Sequence, residues 1–150
     1  MELVLVHEVT AHLENKPGRL AKICSALAHE KINVQALSVM DTAERSVLRL
    51  VTDEADATRR VLTSLGTESE VCEVLAVEME NKPGALARLL ERLAAEHINV
   101  EYAYAAYGDA RGHARGIFHT ANVKRAMQVL GESAGTNGAA QPGRRPLHSR

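Results

Sequence analysis

The chain has 150 residues, 45% hydrophobic and 25% charged, which is ordinary globular composition and enough for one domain or two small ones. A net charge of −1 and a pI near 6.7 leave no broad basic surface to neutralise nucleic-acid phosphates or anionic lipid, so neither nucleic acid nor membrane is an expected partner. Two cysteines without metal-ligand spacing, an acidic opening at Met1-Glu2 and no apolar run of spanning length predict a cytoplasmic protein with reduced thiols and no cofactor. With no Trp, one Phe and three Tyr, the core must be aliphatic.

In chain order, Leu3 to Leu13 alternates as a half-buried strand, with Leu5, Val9, Ala11 and Leu13 inward and Glu8, Thr10 and His12 outward. The loop Glu14 to Lys16 ends it, Pro17 suits a first helical turn, and Gly18 lets something approach the backbone closely. A helix to about Glu30 buries Leu20, Ile23, Cys24 and Leu27. Ile32 to Asp41 and Arg45 to Thr52 read as a hairpin, Asp53 to Leu65 as a second helix stopped by Gly66, and Glu68 to Glu80 as a long strand. The order then repeats: helix Pro83 to Glu96, strand Ile98 to Tyr107, turn Gly108 to Gly112, strand His113 to Thr120 and helix Asn122 to Leu130.

The repetition extends to the residues themselves. Glu14-Asn15-Lys16-Pro17-Gly18 returns as Glu80-Asn81-Lys82-Pro83-Gly84, and Ile32-Asn33-Val34 returns as Ile98-Asn99-Val100. Thirteen of the 21 residues from Glu14 to Val34 are identical at an offset of 84 − 18 = 66, which marks an internal duplication. Each unit reads as β-α-β-β-α plus a further strand, giving an α+β class of two ferredoxin-like βαββαβ units, packed side by side, each an antiparallel sheet with helices on one face. The expected division is residues 1–68, residues 69–131 and a disordered tail 132–150, rich in Gly, Ala, Pro, Ser and Arg. The second unit then lacks a fourth strand. Both long strands are therefore expected to serve two sheets, with Leu3 to Val6 completing the second unit as Ser69 to Glu73 complete the first.

A loop feeding a helix through Pro-Gly presents backbone N–H groups at a positive dipole end, a receptor for a carboxylate, although the same residues also make a plain strand-to-helix turn. A strand ending in Glu-Asn-Lys-Pro-Gly-x-Leu-Ala, a helix, and a strand opening Ile-Asn-Val resembles the ACT domain, a small ligand-binding module of amino-acid metabolism, and the match covers Leu3 to Leu130 twice. The resemblance implies an amino acid held between two domains packed side by side, by the loop of one and the second strand of its neighbour. The implied contributors are Asn15, Lys16 and Gly18, or Asn81, Lys82 and Gly84, with Asn33 and Asn99 from the strands, so that Asn15 joins Asn99 and Asn81 joins Asn33. Backbone N–H groups would take the carboxylate and Asn oxygens the ammonium group. Serine-binding relatives carry a His two residues before the loop Asn. Leu13 and Met79 stand there instead, so a ligand, if bound, is expected to be a largely apolar α-amino acid, although both residues also read simply as core.

No convergent acid, base or nucleophile can be assembled: His12, His29, His97 and His119 are scattered, and His113 and His119 lie about 20 Å apart at strand rise, too far to share a metal. Arg115-Gly116-Ile117-Phe118 superficially matches an RNA-recognition signature, but the stacking aromatics and basic charge are missing. Tyr102 and Tyr104 point to one face, as subunit interface, core filling or pocket wall. The expected function is amino-acid-binding regulation, not enzymatic, with free amino acid as ligand, a homodimer, and an enzyme of amino-acid metabolism as possible client. The competing reading is a structural or assembly subunit that binds nothing.

Overall fold

The computed structural model describes residues 1–42, 45–106, 108 and 110–134. Six strands and four helices follow one another as β1 (Glu2–Leu13), α1 (Arg19–His29), β2 (Val34–Asp41), β3 (Ser46–Thr52), α2 (Ala55–Ser64), β4 (Ser69–Glu80), α3 (Ala85–Ala95), β5 (Val100–Ala106), β6 (His113–Thr120) and α4 (Val123–Ala134). Helix α4 runs past Leu130, where a tail was expected. Residues 131–134 continue it, with the Gln128 amide donating to the Glu132 carboxylate one turn on at 3.0 Å. The rest of the expected tail, 135–150, lies outside the described residues, as does Tyr107 at the end of the expected strand.

The strands form one sheet in the order β2-β3-β1-β4-β6-β5. β1 and β4 pair antiparallel along almost their whole length, from Glu2 opposite Glu78 to Ala11 opposite Ser69. The second half of β1, Glu8 to Leu13, also pairs with β3, and the second half of β4, Leu75 to Glu80, with β6. Each long strand is thus first strand of its own unit and fourth strand of the other, as the missing-strand argument required: Leu3 to Val6 pair with Val77 to Val74 inside the second unit.

Alternation puts all four helices on one face. Val9, Ala11 and Leu13 of β1 pack with Ile23 and Leu27 of α1 and Leu62 of α2, while Leu3 and Leu5, in the same phase, join Leu89 and Leu93 of α3 and Leu130 of α4. Each fully buried leucine contributes about 2 kcal/mol of burial free energy. The opposite face has its own cluster, Ala36, Val51, Val74, Ala76 and Ile117, joined by Tyr104 and Ala106. There β2 and β5 come into contact, although as outer strands of a flat six-stranded sheet they would lie about 24 Å apart. The sheet is therefore curled, helices outside.

The repeated motif has a local explanation. Both helices open after a glycine in the left-handed region, Gly18 at φ 81° and Gly84 at φ 88°, so Pro17 and Pro83 sit in the turn before the helix and not in its first turn. Both helices close with a left-handed residue, Lys31 or His97, and the following isoleucine N–H returns to Leu27 or Leu93 at 2.9 Å. This is the arrangement that satisfies the last carbonyls and seats an apolar residue against the final turn, here Ile32 and Ile98.

Candidate functional site

The loops that carry the repeated motif end β1 and β4, and because those strands are antiparallel the loops lie at opposite ends of the sheet. In each loop the lysine is paired with the preceding glutamate, Lys16 with Glu14 at 3.0 Å and Lys82 with Glu80, and the lysine's hydrogen bond and charge hold each carboxyl below its usual range. Neither helix start has a side-chain cap, so the first-turn N–H groups, those of Leu20 and Ala21 or of Leu86 and Ala87, are left outside the helical ladder.

Asn15 donates from its amide to Asp41 at 3.2 Å, at the tip of the β2-β3 hairpin. Asn33 is bound on both sides of its backbone by Asp53, its N–H to the carboxylate at 3.0 Å and its carbonyl accepting at 3.3 Å. Asn81 donates its N–H to the Gly112 carbonyl at 3.0 Å, and Asn99 is exposed just before β5. The expected partnership of Asn15 with Asn99 is not made within one chain. Val100 pairs with Thr120, whose level on the sheet corresponds to His7 of β1, eight residues short of Asn15. At strand rise that is about 25 Å along the sheet, and the mirrored pair Asn81 and Asn33 is separated in the same way. Duplication about a central strand pair puts each loop far from the other unit's second strand.

What the fold does bring together lies within the second unit. A cavity of about 390 Å³ opens between the second loop, the start of α3 and the β5-β6 hairpin, lined by Met79, Asn81 and Lys82, by Leu86, and by Ala103, Ala105, Gly116 and Phe118 of the sheet. Three of the expected site residues, Met79, Asn81 and Lys82, therefore share one pocket. The corresponding positions of the first unit carry larger side chains. The β5-β6 connection is two residues longer than the β2-β3 one, so β3 and β6 correspond at an offset of 114 − 46 = 68, judged by their pairing with Leu13 and Met79. On that correspondence Leu37, Val39 and Leu48 stand where the second unit has Ala103, Ala105 and Gly116. Leu48 is fully buried, and Leu13, an expected pocket residue, is 4% exposed in the first unit's core.

The Phe118 ring, which replaces Leu50, lies over Gly116: a Cβ on Gly116 would meet it at 2.6 Å. Gly18 faces open space, whereas a Cβ on Gly84 would come within 2.9 Å of the Arg88 guanidinium. A wider groove of about 590 Å³ lies along α3 toward Met1, Glu91 and Arg92, without Asn81 and without the apolar floor of alanines. Gly116 was missed in the sequence because an unbroken offset of 66 sets it against Leu50, and Ala103 and Ala105, which keep that offset, because small residues carry no motif. Allowing the longer second hairpin sets Gly116 against Leu48.

Similarity to known proteins is consistent with this architecture. A crystal structure of a Bacteroides thetaiotaomicron protein superposes with a TM-score of 0.80 at 29% identity, covering 88% of this chain and 90% of that one. The ligand-free regulatory subunit of aspartate kinase from Thermus thermophilus superposes with a TM-score of 0.65 at 16% identity, over 88% of this chain and 96% of that one. Aspartokinase III of E. coli, solved in complex with lysine and aspartate, gives 0.55 at 21% identity, over 89% of this chain and 32% of that one. No curated protein sequence matches. The sequence profile of the ACT domain pair matches residues 4–134, in keeping with the strand-sharing tandem of ferredoxin-like units, and the chain belongs to the ACT domain pair family.

Proposed function

We propose that the chain is a non-catalytic regulatory protein that binds a free amino acid, and that the second unit's pocket is where it binds. The observation that carries this reading is the cavity itself: the copy with Ala103, Ala105 and Gly116 holds space beside Asn81 and the α3 N-terminus, where the other copy has the larger Leu37, Val39 and buried Leu48. A carboxylate would meet first-turn N–H groups, and an aliphatic or thioether side chain would lie against Met79, Leu86 and Phe118, which favours a largely apolar amino acid. Regulatory subunits of aspartate kinase, a lysine- and aspartate-bound aspartokinase among the similar folds, support the class of ligand and a client enzyme in amino-acid metabolism.

In this reading residues 1–68 form the packed unit and residues 69–131 the binding unit of a cytoplasmic homodimer. Asn15, Lys16, Gly18 and Asn33 are then the packed unit's remnant of the site. A ligand that also contacts an Asn33 or Asn99 takes that residue from a second copy, because the loops of one chain lie at opposite ends of its sheet. Calorimetry and thermal shift with the twenty amino acids test the proposal. One saturable site per chain is expected for one or more of Leu, Ile, Val, Phe and Met, lost in Asn81→Ala and retained in Asn15→Ala. Stabilisation by Ser or Asp alone would overturn the apolar preference. Silence across the panel would favour an assembly subunit, a reading supported by the exposed Leu86 and Leu90 on one face of α3.

A further inference from the structure

Glu8 was expected on the solvent side of β1, yet it is completely buried on the face opposite the helices. The Tyr102 hydroxyl donates to its Oε1 and the Tyr104 hydroxyl to its Oε2 at 2.7 Å. Arg49 approaches the same carboxylate at 3.9 Å and lays its guanidinium over the Tyr102 ring, 3.9 Å from the centroid, while His119 stacks on Tyr102 at 4.7 Å, within 2° of parallel. A buried carboxylate is costly unless its oxygens are hydrogen-bonded and its charge is offset; here the two tyrosine hydroxyls donate to it and the Arg49 charge lies nearby without a hydrogen bond.

This cluster spans the units and is not duplicated. Glu8 and Arg49 belong to β1 and β3, while Tyr102, Tyr104 and His119 belong to β5 and β6. The counterparts are Val74 for Glu8, Ile117 for Arg49, Ala36 for Tyr102 and Ser38 for Tyr104. In the sheet β5 is an edge strand bonded to β6 alone, and two strands, β4 and β6, separate it from β1. The tyrosines reach Glu8 across that gap. They also alternate with Ala103 and Ala105, which line the pocket on the other face of the same strand. β5 is thus one backbone thick between a candidate ligand site and a tether to the first unit.

We propose that the contact of Tyr102 and Tyr104 with Glu8 is the coupling device of this chain: it fixes where β5 lies over the pocket and transmits pocket occupancy to the first unit. The transmission half rests on the second-unit pocket being the amino-acid site. Glu8 and Tyr102 are positioning residues outside the pocket, and Tyr104, which also belongs to the pocket's lining, directs its hydroxyl away to Glu8. A ligand that prefers the tethered position of β5 strengthens the tether by the same factor with which the tether strengthens the ligand.

Hydrogen–deuterium exchange of the full chain, with and without the tightest-binding amino acid of the panel, reads both halves in wild type, Tyr104→Phe and Glu8→Gln. In the free protein Tyr104→Phe is expected to speed exchange in residues 100–106 and also in residues 46–52 of the first unit. With ligand, wild type is expected to gain protection in 46–52, and Tyr104→Phe to lose that distant protection and bind about fivefold more weakly. Glu8→Gln is expected to shift the same segments. Faster exchange confined to residues 100–106 would overturn the coupling, whether or not any amino acid binds. Unchanged affinity together with unchanged protection of 46–52 in Tyr104→Phe would overturn it also. If wild type binds no amino acid, the reading of the pocket fails, and the free-protein comparison alone still decides the tether.

Discussion

The two units share a motif, a topology and a helix-bearing face, yet the first carries large side chains where the second carries small ones around a cavity. Leu37, Val39 and the fully buried Leu48 stand in the first unit where Ala103, Ala105 and Gly116 line the cavity of the second. The first unit gains burial and the second keeps a cavity whose lining forgoes contacts. A duplicated fold can keep one backbone in both copies while small residues open a cavity in one of them.

The comparison can be broken most forcefully by exchanging its residues. Ala103→Leu with Ala105→Val gives the second unit's pocket the larger side chains of the first unit. Calorimetry should show amino-acid binding lost while the melting temperature holds or rises, and retained binding would mean that the ligand sits elsewhere. The reverse change, Leu48→Ala at a fully buried position, should destabilise the chain by about 2–5 kcal/mol in urea unfolding and leave an apolar cavity without Asn81's chemistry.

A third test concerns pH. Burial first, and then hydrogen bonding to Glu8, hold the Tyr102 and Tyr104 hydroxyls well above the usual phenol range. With folded-state values raised, their contribution to stability is intact below the unfolded tyrosine value of about 10 and is lost as pH rises above it. Phenolate absorbance should therefore stay incomplete in the folded protein above that pH and appear fully only as circular dichroism reports unfolding. Early titration of all three tyrosines would contradict the buried cluster. The smallest effect expected is that of Gly18→Ala against Gly84→Ala. Both place a side chain at positive φ, at about 1 kcal/mol each, but only the second also displaces the Arg88 guanidinium beside the open pocket.

Much of the fold was written in local signals. Alternation in Leu3 to Leu13, the spacing of Leu20, Ile23 and Leu27, and the offset of 66 sufficed to predict the unit, and counting strands sufficed to predict the exchange between β1 and β4. The site was less legible. The repeated motif drew attention to Asn81 and Lys82 in the wall of the candidate pocket, but the pocket's floor consists of small residues, which carry no motif and are defined only by what is missing. Glu8 was misplaced because alternation assigns a face and says nothing about curvature. The curl that carries Tyr102 and Tyr104 over to Glu8 is set by the whole sheet, and no window of sequence reports it.

The exchange between the long strands bears on how the chain reaches this state. Glu2 faces Glu78 across a separation of 78 − 2 = 76 residues, and the ladder between β1 and β4 is shared by both units. Contacts this distant pay loop-closure entropy before they return any burial, which slows folding relative to chains of similar size with local pairings. Neither unit can close its sheet until that central ladder forms, so the first unit should not persist as a folded intermediate while the second waits. A single refolding phase, common to probes placed in either unit, is the kinetic signature that such a shared spine implies.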